Sequence, residues 1–274
     1  MPTGYSFDNA GAAGARQLDQ LSEAFDGHTT SVLTEYGVGR GWRCLDIGAG
    51  AGSIAGWLAD RVGPEGHVTA TDVDPRYLTE RDNLTVLRHD VGRDPVPAGE
   101  YDLIHARMVF VHLPNRHEVL ARLVSALRPG GLIVLSDCDC RERDPVLAVP
   151  DPADAETFEL FNDIIRSLGR RNGADLGWTR YAYAAMRTAG LAPERTVVFG
   201  RSWPGGSAGC GLYQALAYQI EPTLRADGMT GEQLATLHRL LDDPGFVLSA
   251  WLMHTTVGRR PGAAAGTDPG RGAG

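Results

Sequence analysis

The stretch CLDIGAGAGS, residues 44–53, is the feature that most limits the folds open to this chain. An apolar run leads to Asp46 and then to three glycines, from Gly48 to Gly52, separated by single residues. Glycine lets a backbone turn tightly and approach a ligand closely, because it lacks a Cβ atom. The pattern predicts a strand, a tight turn and then a helix with Ser53 as its N-cap residue.

Apolar runs of strand length alternate with stretches of helical pattern along the first half of the chain. Seven strands are predicted, at WRCLDIG, HVTATDV, LTVLRHD, YDLIHARMV, LIVLSD, RTVVFG and VLSAWLMHTTVGRR. After the second strand, PRYLTER is expected to start a helix with Pro75 at its first position. This alternation indicates an α/β fold with a doubly wound, parallel sheet, in which the loops after the strands share one ligand-binding edge.

The chain is expected to divide into three parts. They are an N-terminal helical arm or cap (1–40), a main domain (41–260) and a disordered tail (261–274). Within the arm, the helical pattern of residues 11–36 is expected to break at Gly27. The main domain carries helical insertions at about 150–190 and 205–243, which are natural candidates for a substrate lid. The tail contains mostly glycine, alanine and proline and cannot bury a core.

The composition excludes several classes of protein. The chain contains no lysine, so all 26 basic residues are arginine, which excludes a Schiff-base lysine and the lysine of a P-loop. A formal net charge of −8 argues against nucleic acid as a partner. No apolar run approaches the roughly 20 residues of a membrane span, and the first residues lack a signal-peptide pattern, so a cytoplasmic location without membrane contact is expected. The spacing of the four cysteines does not suit zinc, and no metal is expected.

Acidic residues mark the ends of three successive predicted strands, at Asp46, Asp72 and Asp90. A dinucleotide-binding turn has the pattern G-x-G-x-x-G, whereas the third glycine here comes one residue early, and Asp46 would repel a pyrophosphate. Asp72 stands where an acid accepts hydrogen bonds from ribose hydroxyls, and Asp90 where a carboxylate can accept an adenine amino proton. The three acids predict a cradle for an adenosine that carries positive charge and no phosphate.

Five motifs, in this order and spacing, resemble those of class I S-adenosylmethionine-dependent methyltransferases: LDIGAGAG, TATDVDP, RHDV, YDLIHARMVFVHLP and ALRPGGLIVLSD. The N-terminal YSFDNAGAAGARQLDQLSEAFD and the later helical insertions also resemble bacterial small-molecule methyltransferases of natural-product and antibiotic pathways. The resemblance implies a Rossmann-like, seven-stranded sheet whose last strand is antiparallel. It also implies S-adenosyl-L-methionine as the cofactor.

Residue by residue, the resemblance implies a cofactor site. Asp46 would help to hold the methionine amino group, Asp72 the ribose hydroxyls and Asp90 the adenine amino group. The other implied positions are Gly48, Ala49 and Gly50 in the turn, Val73 and Val91 beside the adenine, Ala106 through its carbonyl group, its neighbour Arg107, and Tyr5 and Arg16, which would close the site from the N-terminal segment. Arg107 fits equally well as a structural ion-pair partner.

Two residues near the ends of the fourth and fifth strands are candidates for catalysis. His112, in FVHLP, lies where the family lines the methyl-transfer site, and an imidazole there can remove a proton from a hydroxyl group. The alternative for His112 is a hydrogen bond to the backbone. Asp137 ends the fifth strand at the same edge and would orient a substrate or a base. His105, in the middle of a strand, is expected to be structural.

The sequence therefore predicts transfer of a methyl group, by in-line displacement, to a small-molecule acceptor. Six aromatic residues of the insertions are candidates for contacts with a flat, aromatic acceptor, although each alone fits the core of the lid better: Trp178, Tyr181, Tyr183, Trp203, Tyr213 and Tyr218. Two other functions stay open, namely a cofactor-binding enzyme that catalyses a cyclisation or rearrangement, and a nicotinamide-dependent oxidoreductase. A homodimer is a candidate assembly, because the N-terminal arm could exchange between subunits.

Overall fold

A computed structural model of the chain describes residues 12–97, 99–142, 145–249 and 251–262. The strands are β1 (Arg43–Ile47), β2 (His67–Asp72), β3 (Leu84–Arg88), β4 (Tyr101–Arg107), β5 (Leu127–Asp139), β6 (Val146–Ala148), β7 (Ala192–Phe199), β8 (Ser202–Pro204), β9 (Val247–Ser249) and β10 (Leu252–Arg259). The α-helices are α1 (Ala12–Glu35), α2 (Ser53–Val62), α3 (Arg116–Ala126), α4 (Ala155–Arg171), α5 (Ala182–Thr188), α6 (Ala208–Gln219), α7 (Glu221–Ala226) and α8 (Gly231–Asp242). Short 3₁₀ turns lie at Pro75–Tyr77, Phe110–His112, Pro152–Asp154 and Trp178–Arg180.

Seven of these strands form one sheet, in the order β3-β2-β1-β4-β5-β10-β7. Strands β1 to β5 are parallel to one another, and β10 runs antiparallel to both β5 and β7. The central strands are buried along nearly their whole length, as parallel strands covered by helices on both faces should be. The predicted α/β sheet with an antiparallel last strand is therefore confirmed.

Helix α1 runs without interruption through Gly27, so the break expected there was wrong. Phe25, on one side of this glycine, packs into the core of the inserted helices. Val32 and Leu33, on the other side, pack against β1 and α2. Because both halves of the helix bury apolar side chains, packing outweighs the roughly 1 kcal/mol by which glycine disfavours a helix interior.

The turn after β1 differs from expectation by one residue. Helix α2 begins at Ser53, but Gly52 takes the cap position with a φ of 84°. A positive φ is open to glycine at little cost, which explains why the cap is not serine. The Ser53 hydroxyl group instead accepts a hydrogen bond from Ser22 of α1, at 3.1 Å.

Two other elements are shorter than expected. PRYLTER forms only the 3₁₀ turn Pro75–Tyr77, because Arg81 then exchanges two backbone hydrogen bonds with Leu84 and leads directly into β3. The predicted last strand is split, since β9 joins a separate antiparallel sheet of order β6-β9-β8. Between β9 and β10, the ring of Trp251 packs against other aromatic rings of the insertion.

The sheet is covered on both faces. One apolar cluster joins β1, β4 and β5 to α3, α5 and Trp178, and a second joins the opposite face to α1 and α2. A third lies between α1 and the inserted helices α4, α6 and α8. Helix α1 thus contributes to two clusters, and it crosses the sheet near the cavity described next. In the described part of the chain, no helix has the length and apolar character needed to cross a membrane.

Candidate functional site

A cavity of about 750 Å³ lies at the carboxyl ends of β1, β2, β3 and β4. Ligands of open α/β sheets bind at this edge, and a volume of this size falls within the usual range for small-molecule sites. The lining comprises Leu18, Leu21, Ser22, Ile47, Gly48, Ala49, Gly50, Ala51, Ser53, Asp72, Val73, His89, Asp90, Val91, Gly92, Arg93, Arg107, Met108, Val109, His112, Leu113, Pro114, Asn115, Arg171, Asn172 and Gly173. Nine of the fourteen predicted site residues are among them, namely Gly48, Ala49, Gly50, Asp72, Val73, Asp90, Val91, Arg107 and His112.

The glycine turn forms the floor of the cavity. Gly48, Gly50 and Gly52 all adopt positive φ values, of 64°, 58° and 84°. A Cβ atom on Gly48 would lie 2.4 Å from Cγ2 of Val109, so this position has no room for a side chain. The turn therefore brings bare backbone to the cavity, as the sequence predicted for this stretch. Ala49, between the first two glycines, also lines the cavity.

Asp72 ends β2 beside the turn and is only 8% exposed. Its Oδ2 accepts a hydrogen bond from the Gly50 amide at 2.9 Å, and its Oδ1 accepts one from the Asp74 amide at 2.9 Å. Burial raises the pKa of Asp72, and the two amide hydrogen bonds oppose this shift. The geometry leaves each carboxylate oxygen a second lone pair, so both oxygens can accept a further donor. Val73, the next residue, lies at the rim of the cavity and is half exposed.

Asp90 follows β3 and also lines the cavity, next to the buried Val91. Its Oδ1 accepts a hydrogen bond from the Gly92 amide at 2.9 Å, and its Oδ2 lies 3.4 Å from Nε of Arg93. The amide of Asn115 donates to the Gly92 carbonyl group at 2.8 Å and ties this loop to the start of α3. Asp90 is thus held in place while it faces the cavity.

Asp46 is buried in β1, just before the turn, and does not line the cavity. Its Oδ1 accepts a hydrogen bond from Nδ1 of His105 at 2.7 Å, and both side chains are buried in the sheet. The charge of Asp46 nevertheless reaches the cavity, because it contributes to the raised pKa of Asp72. Two carboxylates this close together favour a cationic ligand over an anionic one.

Ala106 and Arg107 end β4, but only Arg107 lines the cavity. Ala106 is buried within the apolar cluster that contains α3. Nη1 of Arg107 lies 2.8 Å from Oδ1 of Asp26 and donates to Oγ1 of Thr29 at 3.1 Å. Arg107 therefore forms the structural ion pair that one interpretation predicted, and it also lines the cavity, while its contact with the cofactor stays a prediction.

His112 ends the 3₁₀ turn after β4 and lines the cavity. Burial, with a smaller contribution from the nearby Arg116, lowers the pKa of His112 to about 4. The imidazole is therefore neutral at physiological pH and can accept a proton or a hydrogen bond. Asp137 does not line the cavity but lies behind this turn, where its Oδ1 accepts a hydrogen bond from the Val111 amide at 3.4 Å. Burial raises the pKa of Asp137 to about 7.

Of the two predicted N-terminal contacts, the structure describes only Arg16, which is not brought to the cavity. Arg16 lies on α1, is exposed and is not a lining residue. Tyr5 lies outside the described residues. Leu18, Leu21 and Ser22 of α1 line the cavity instead. Their spacing marks one face of a helix in the sequence, but the sequence does not say what that face covers.

Other lining residues had no sequence signal. Met108 follows β4 with a φ of 57°, an unusual backbone conformation for a residue with a side chain. Arg171 ends α4, Asn172 and Gly173 follow it, and all three line the cavity. The six aromatic residues proposed for acceptor contacts are all absent from the lining, and Trp178, Trp203 and Tyr213 are fully buried. Within the described residues, no three His, Cys, Asp or Glu side chains group as metal ligands.

Comparison with known proteins agrees with this geometry. The methyltransferase domain family matches residues 15–176, more than half of the chain. Methyltransferase str2 of Strobilurus tenacellus is 33% identical over 134 residues, which make up 46% of this chain and 46% of that protein. The 27-O-demethylrifamycin SV methyltransferase of Amycolatopsis mediterranei is 30% identical over 166 residues, 56% of this chain and 55% of its own. The chain thus spans about half the length of these curated relatives.

A solved structure shares the fold. Phosphoethanolamine N-methyltransferase 2 of Haemonchus contortus, in complex with phosphomonomethylethanolamine and S-adenosylhomocysteine, matches 86% of this chain and 52% of its own, with 14% identity and a TM-score of 0.52. The domain match, the order of the seven strands and the glycine turn at the carboxyl edge of the sheet agree with one another. The chain belongs to the class I S-adenosylmethionine-dependent methyltransferases.

Proposed function

We propose that this protein transfers a methyl group from S-adenosylmethionine to a small-molecule acceptor of secondary metabolism. The observation that carries the proposal is one cavity in which the glycine turn meets the carboxylates of Asp72 and Asp90, with the buried Asp46 just before the turn. This arrangement offers bare backbone, two acceptors for hydroxyl and amino groups, and negative charge. It suits a cationic nucleoside and disfavours a pyrophosphate.

In this proposal, different residues of the chain bind different parts of the cofactor. Asp72 would accept hydrogen bonds from the ribose hydroxyls, and Asp90 from the adenine amino group, with Val73 and Val91 on either side of the ring. The methionine part would lie over the turn, near Asp46 and Arg107. The Arg107 guanidinium suits the carboxylate of that part, since its described contacts with α1 are made through Nη1 and a guanidinium carries further N–H donors.

The acceptor would occupy the part of the cavity bounded by His112, Met108 and the segment after α4. Helix α1 closes this space with Leu18 and Leu21. The name of one relative, the 27-O-demethylrifamycin SV methyltransferase, supports a secondary metabolite as the acceptor class.

The reaction requires little from the protein beyond alignment of the acceptor with the methyl group of the cofactor. S-adenosylmethionine supplies an electrophilic methyl group on its sulfonium centre. The acceptor atom forms a bond to the methyl carbon as the carbon–sulfur bond breaks, the electron pair stays on sulfur, and the acceptor loses a proton. Holding the two reactants in line can supply much of the rate enhancement. For a hydroxyl acceptor, the neutral His112 would take the proton.

The test is methyl transfer itself. The purified protein would be incubated with S-adenosylmethionine labelled in its methyl group and with a panel of hydroxylated aromatic and macrocyclic compounds. Mass spectrometry would follow both the label in the acceptor and the release of S-adenosylhomocysteine. We expect equal amounts of both products with at least one acceptor, and clearly smaller amounts of both with Asp72→Ala when the cofactor concentration is below saturation. Firm binding of the cofactor without labelling of any acceptor would contradict methyl transfer as the function.

A further inference from the structure

The pair formed by Asp46 and His105 stands out among the buried groups of the sheet. The two residues are register partners on the adjacent central strands β1 and β4. Nδ1 of His105 lies 2.7 Å from Oδ1 of Asp46, and each side chain is no more than 3% exposed. Since a carboxylate only accepts, Nδ1 of the imidazole is the donor. This is a well-formed hydrogen bond in the interior of the protein.

Stability alone does not account for this pair. Its neighbours on the same face of the sheet include Cys44, Leu103 and Val134, which are fully buried and belong to one apolar cluster. Replacing a buried pair of ionisable groups by well-packed apolar residues is often neutral or stabilising. Two apolar side chains would therefore serve the sheet at least as well.

One oxygen of the pair has no protein partner. Among the described residues, Oδ2 of Asp46 is buried and makes no hydrogen bond. An unpaired carboxylate oxygen in the interior carries a full desolvation penalty. Asp46 directly precedes Ile47 and Gly48, which both line the cavity. Its negative charge contributes to the raised pKa of Asp72. The unpaired oxygen thus belongs to a side chain two residues before the first glycine of the turn.

His105 itself cannot act on the acceptor. It does not line the cavity, and its own strand carries Arg107, two residues further along, at the cavity wall. The only described polar contact of the His105 side chain is the one to Asp46. Its influence on a ligand must therefore pass through Asp46.

We propose that His105 is a positioning residue that binds one oxygen of Asp46 and so leaves the other directed to the amino group of the cofactor's methionine part. This inference rests on the proposed function, because it takes S-adenosylmethionine as the ligand. It assigns a role to a strand residue outside the glycine turn. A cationic amino group would supply the missing partner of Oδ2.

The test compares two ligands that differ in the amino acid part, which the pair of Asp46 and His105 would hold. S-adenosylhomocysteine carries the amino acid part, and 5′-methylthioadenosine lacks it. Both would be titrated by calorimetry into the wild-type protein and into His105→Leu, His105→Asn and His105→Gln. His67→Leu is the matched control. It removes a histidine from the amino end of β2, at the edge of the sheet away from the cavity, where His67 pairs with Thr85. Circular dichroism would confirm the fold of each variant.

We expect His105→Leu to weaken S-adenosylhomocysteine by about tenfold or more, as for the loss of a hydrogen bond to a charged group, with methylthioadenosine changed by less than about twofold. Asn places its amide donor near the position of Nδ1, so His105→Asn should restore most of the affinity. Gln places its amide further out and should not. The contrast between Asn and Gln serves as the test even if the Leu variant fails to fold.

Equal weakening of both ligands by His105→Leu, or equal affinities in the Asn and Gln variants, would overturn the inference. Unchanged binding of S-adenosylhomocysteine in all three variants would do so too. Failure of the wild-type protein to bind either ligand is a different result, because it would remove the proposed function on which the inference rests. His67→Leu should leave both affinities within about twofold of wild type.

Discussion

Two titratable residues lie at the 3₁₀ turn after β4: His112, which ends the turn and lines the cavity, and the buried Asp137, which lies behind it. Burial moves their pKa values in opposite directions, to about 4 for His112 and to about 7 for Asp137. Both shifts favour the uncharged form. The turn is therefore built around a neutral imidazole that faces the cavity and a carboxyl group that holds the turn from behind.

For a hydroxyl acceptor, we expect His112→Asn to lower kcat by roughly 10²- to 10⁴-fold, the range for loss of a general base. The affinity for S-adenosylhomocysteine should change little, because the imidazole would act on the acceptor. Since kcat/KM reports the free enzyme, its acid limb should lie near pH 4 and not near the ordinary 6.5 of histidine. A pH–rate profile of both proteins measures this. An acid limb near 6.5, or a variant of full activity, would contradict the role of His112.

Asp137→Asn should change how stability depends on pH. The pKa of Asp137 in the folded protein, about 7, lies above its ordinary value of 3.8, so the folded state binds more protons than the unfolded state between these pH values. The contribution of this group to stability is present at low pH and is lost as pH rises through 7. Asn resembles the protonated acid and lacks this loss.

We therefore expect the Tm of Asp137→Asn, relative to wild type, to be higher at pH 8 than at pH 4.5. Thermal unfolding followed by circular dichroism at both pH values checks this. A difference in Tm that is the same at the two pH values would show that Asp137 is ionised throughout. In that case its role behind the turn would need another explanation.

At the scale of elements, the glycine turn between β1 and α2 was the part most open to prediction. Its glycine spacing, its preceding acid and its position after an apolar run are all local, and the structure shows the positive φ values that such a turn requires. Strands β1 to β5 were equally accessible, because runs of buried residues are visible in sequence. The three-residue strands β6, β8 and β9 were not, since so short a strand has no period and depends on distant partners.

Gly48→Ala should be clearly more destabilising than Gly37→Ala. Both glycines have positive φ values, of 64° and 77°, so both variants carry a left-handed backbone cost of about 1–2 kcal/mol. Only the Cβ atom at position 48 meets another atom, Cγ2 of Val109 at 2.4 Å, whereas position 37 is open. Overpacking of this kind adds about 1–3 kcal/mol to the loss.

Urea unfolding measures the two losses directly. The free energy of unfolding should fall further for Gly48→Ala than for Gly37→Ala, and only Gly48→Ala should weaken S-adenosylhomocysteine. Equal losses of stability and unchanged binding in both variants would show that position 48 can accommodate a Cβ atom. That result would contradict a close approach of the turn backbone to the ligand.

Helix α1 shows why some site residues could not be predicted. Its apolar face was visible in the sequence, but its position over the cavity depends on contacts with residues far along the chain. Asp26 pairs with Arg107, and His28 contacts Thr255 through its Nε2 at 2.9 Å. These contacts fix the helix so that Leu18 and Leu21 face the cavity, whereas the exposed Arg16 does not. Such long-range pairing leaves no local pattern.

At the scale of the whole molecule, the cavity joins three parts of the chain. The sheet contributes the glycine turn and the strand-end acids to the lining. Helix α1 and the segment at the end of α4 also contribute lining residues. The cofactor half was predictable because its residues follow successive strands. The acceptor half was not, because its walls come from α1 and from the insertion, whose sequences show helical pattern without showing where the helices pack.

The net charge of −8 describes the whole chain, whereas a ligand meets the charges around the cavity. The cavity combines the carboxylates of Asp72 and Asp90 with the guanidinium groups of Arg93, Arg107 and Arg171. Arg93 lies near Asp90, Arg107 near Asp26 and Arg171 near Asp227. The charge of the whole molecule therefore says little about the acceptor. The homodimer expected from the sequence stays a prediction, which light scattering of the purified protein would measure.

The central claim is that the strand-end acids bind S-adenosylmethionine. Calorimetric titration of S-adenosylmethionine into the wild-type protein, Asp72→Ala and Asp74→Ala tests it most directly. Asp74 is the matched control, because it is a carboxylate two residues further along that pairs with Arg76 and does not line the cavity. We expect saturable binding by the wild-type protein and a loss of about 1.5–3 kcal/mol in Asp72→Ala, as for hydrogen bonds to a charged group. Asp74→Ala should bind nearly as wild type. No binding by the wild-type protein, or equal affinity in a folded Asp72→Ala, would contradict the claim.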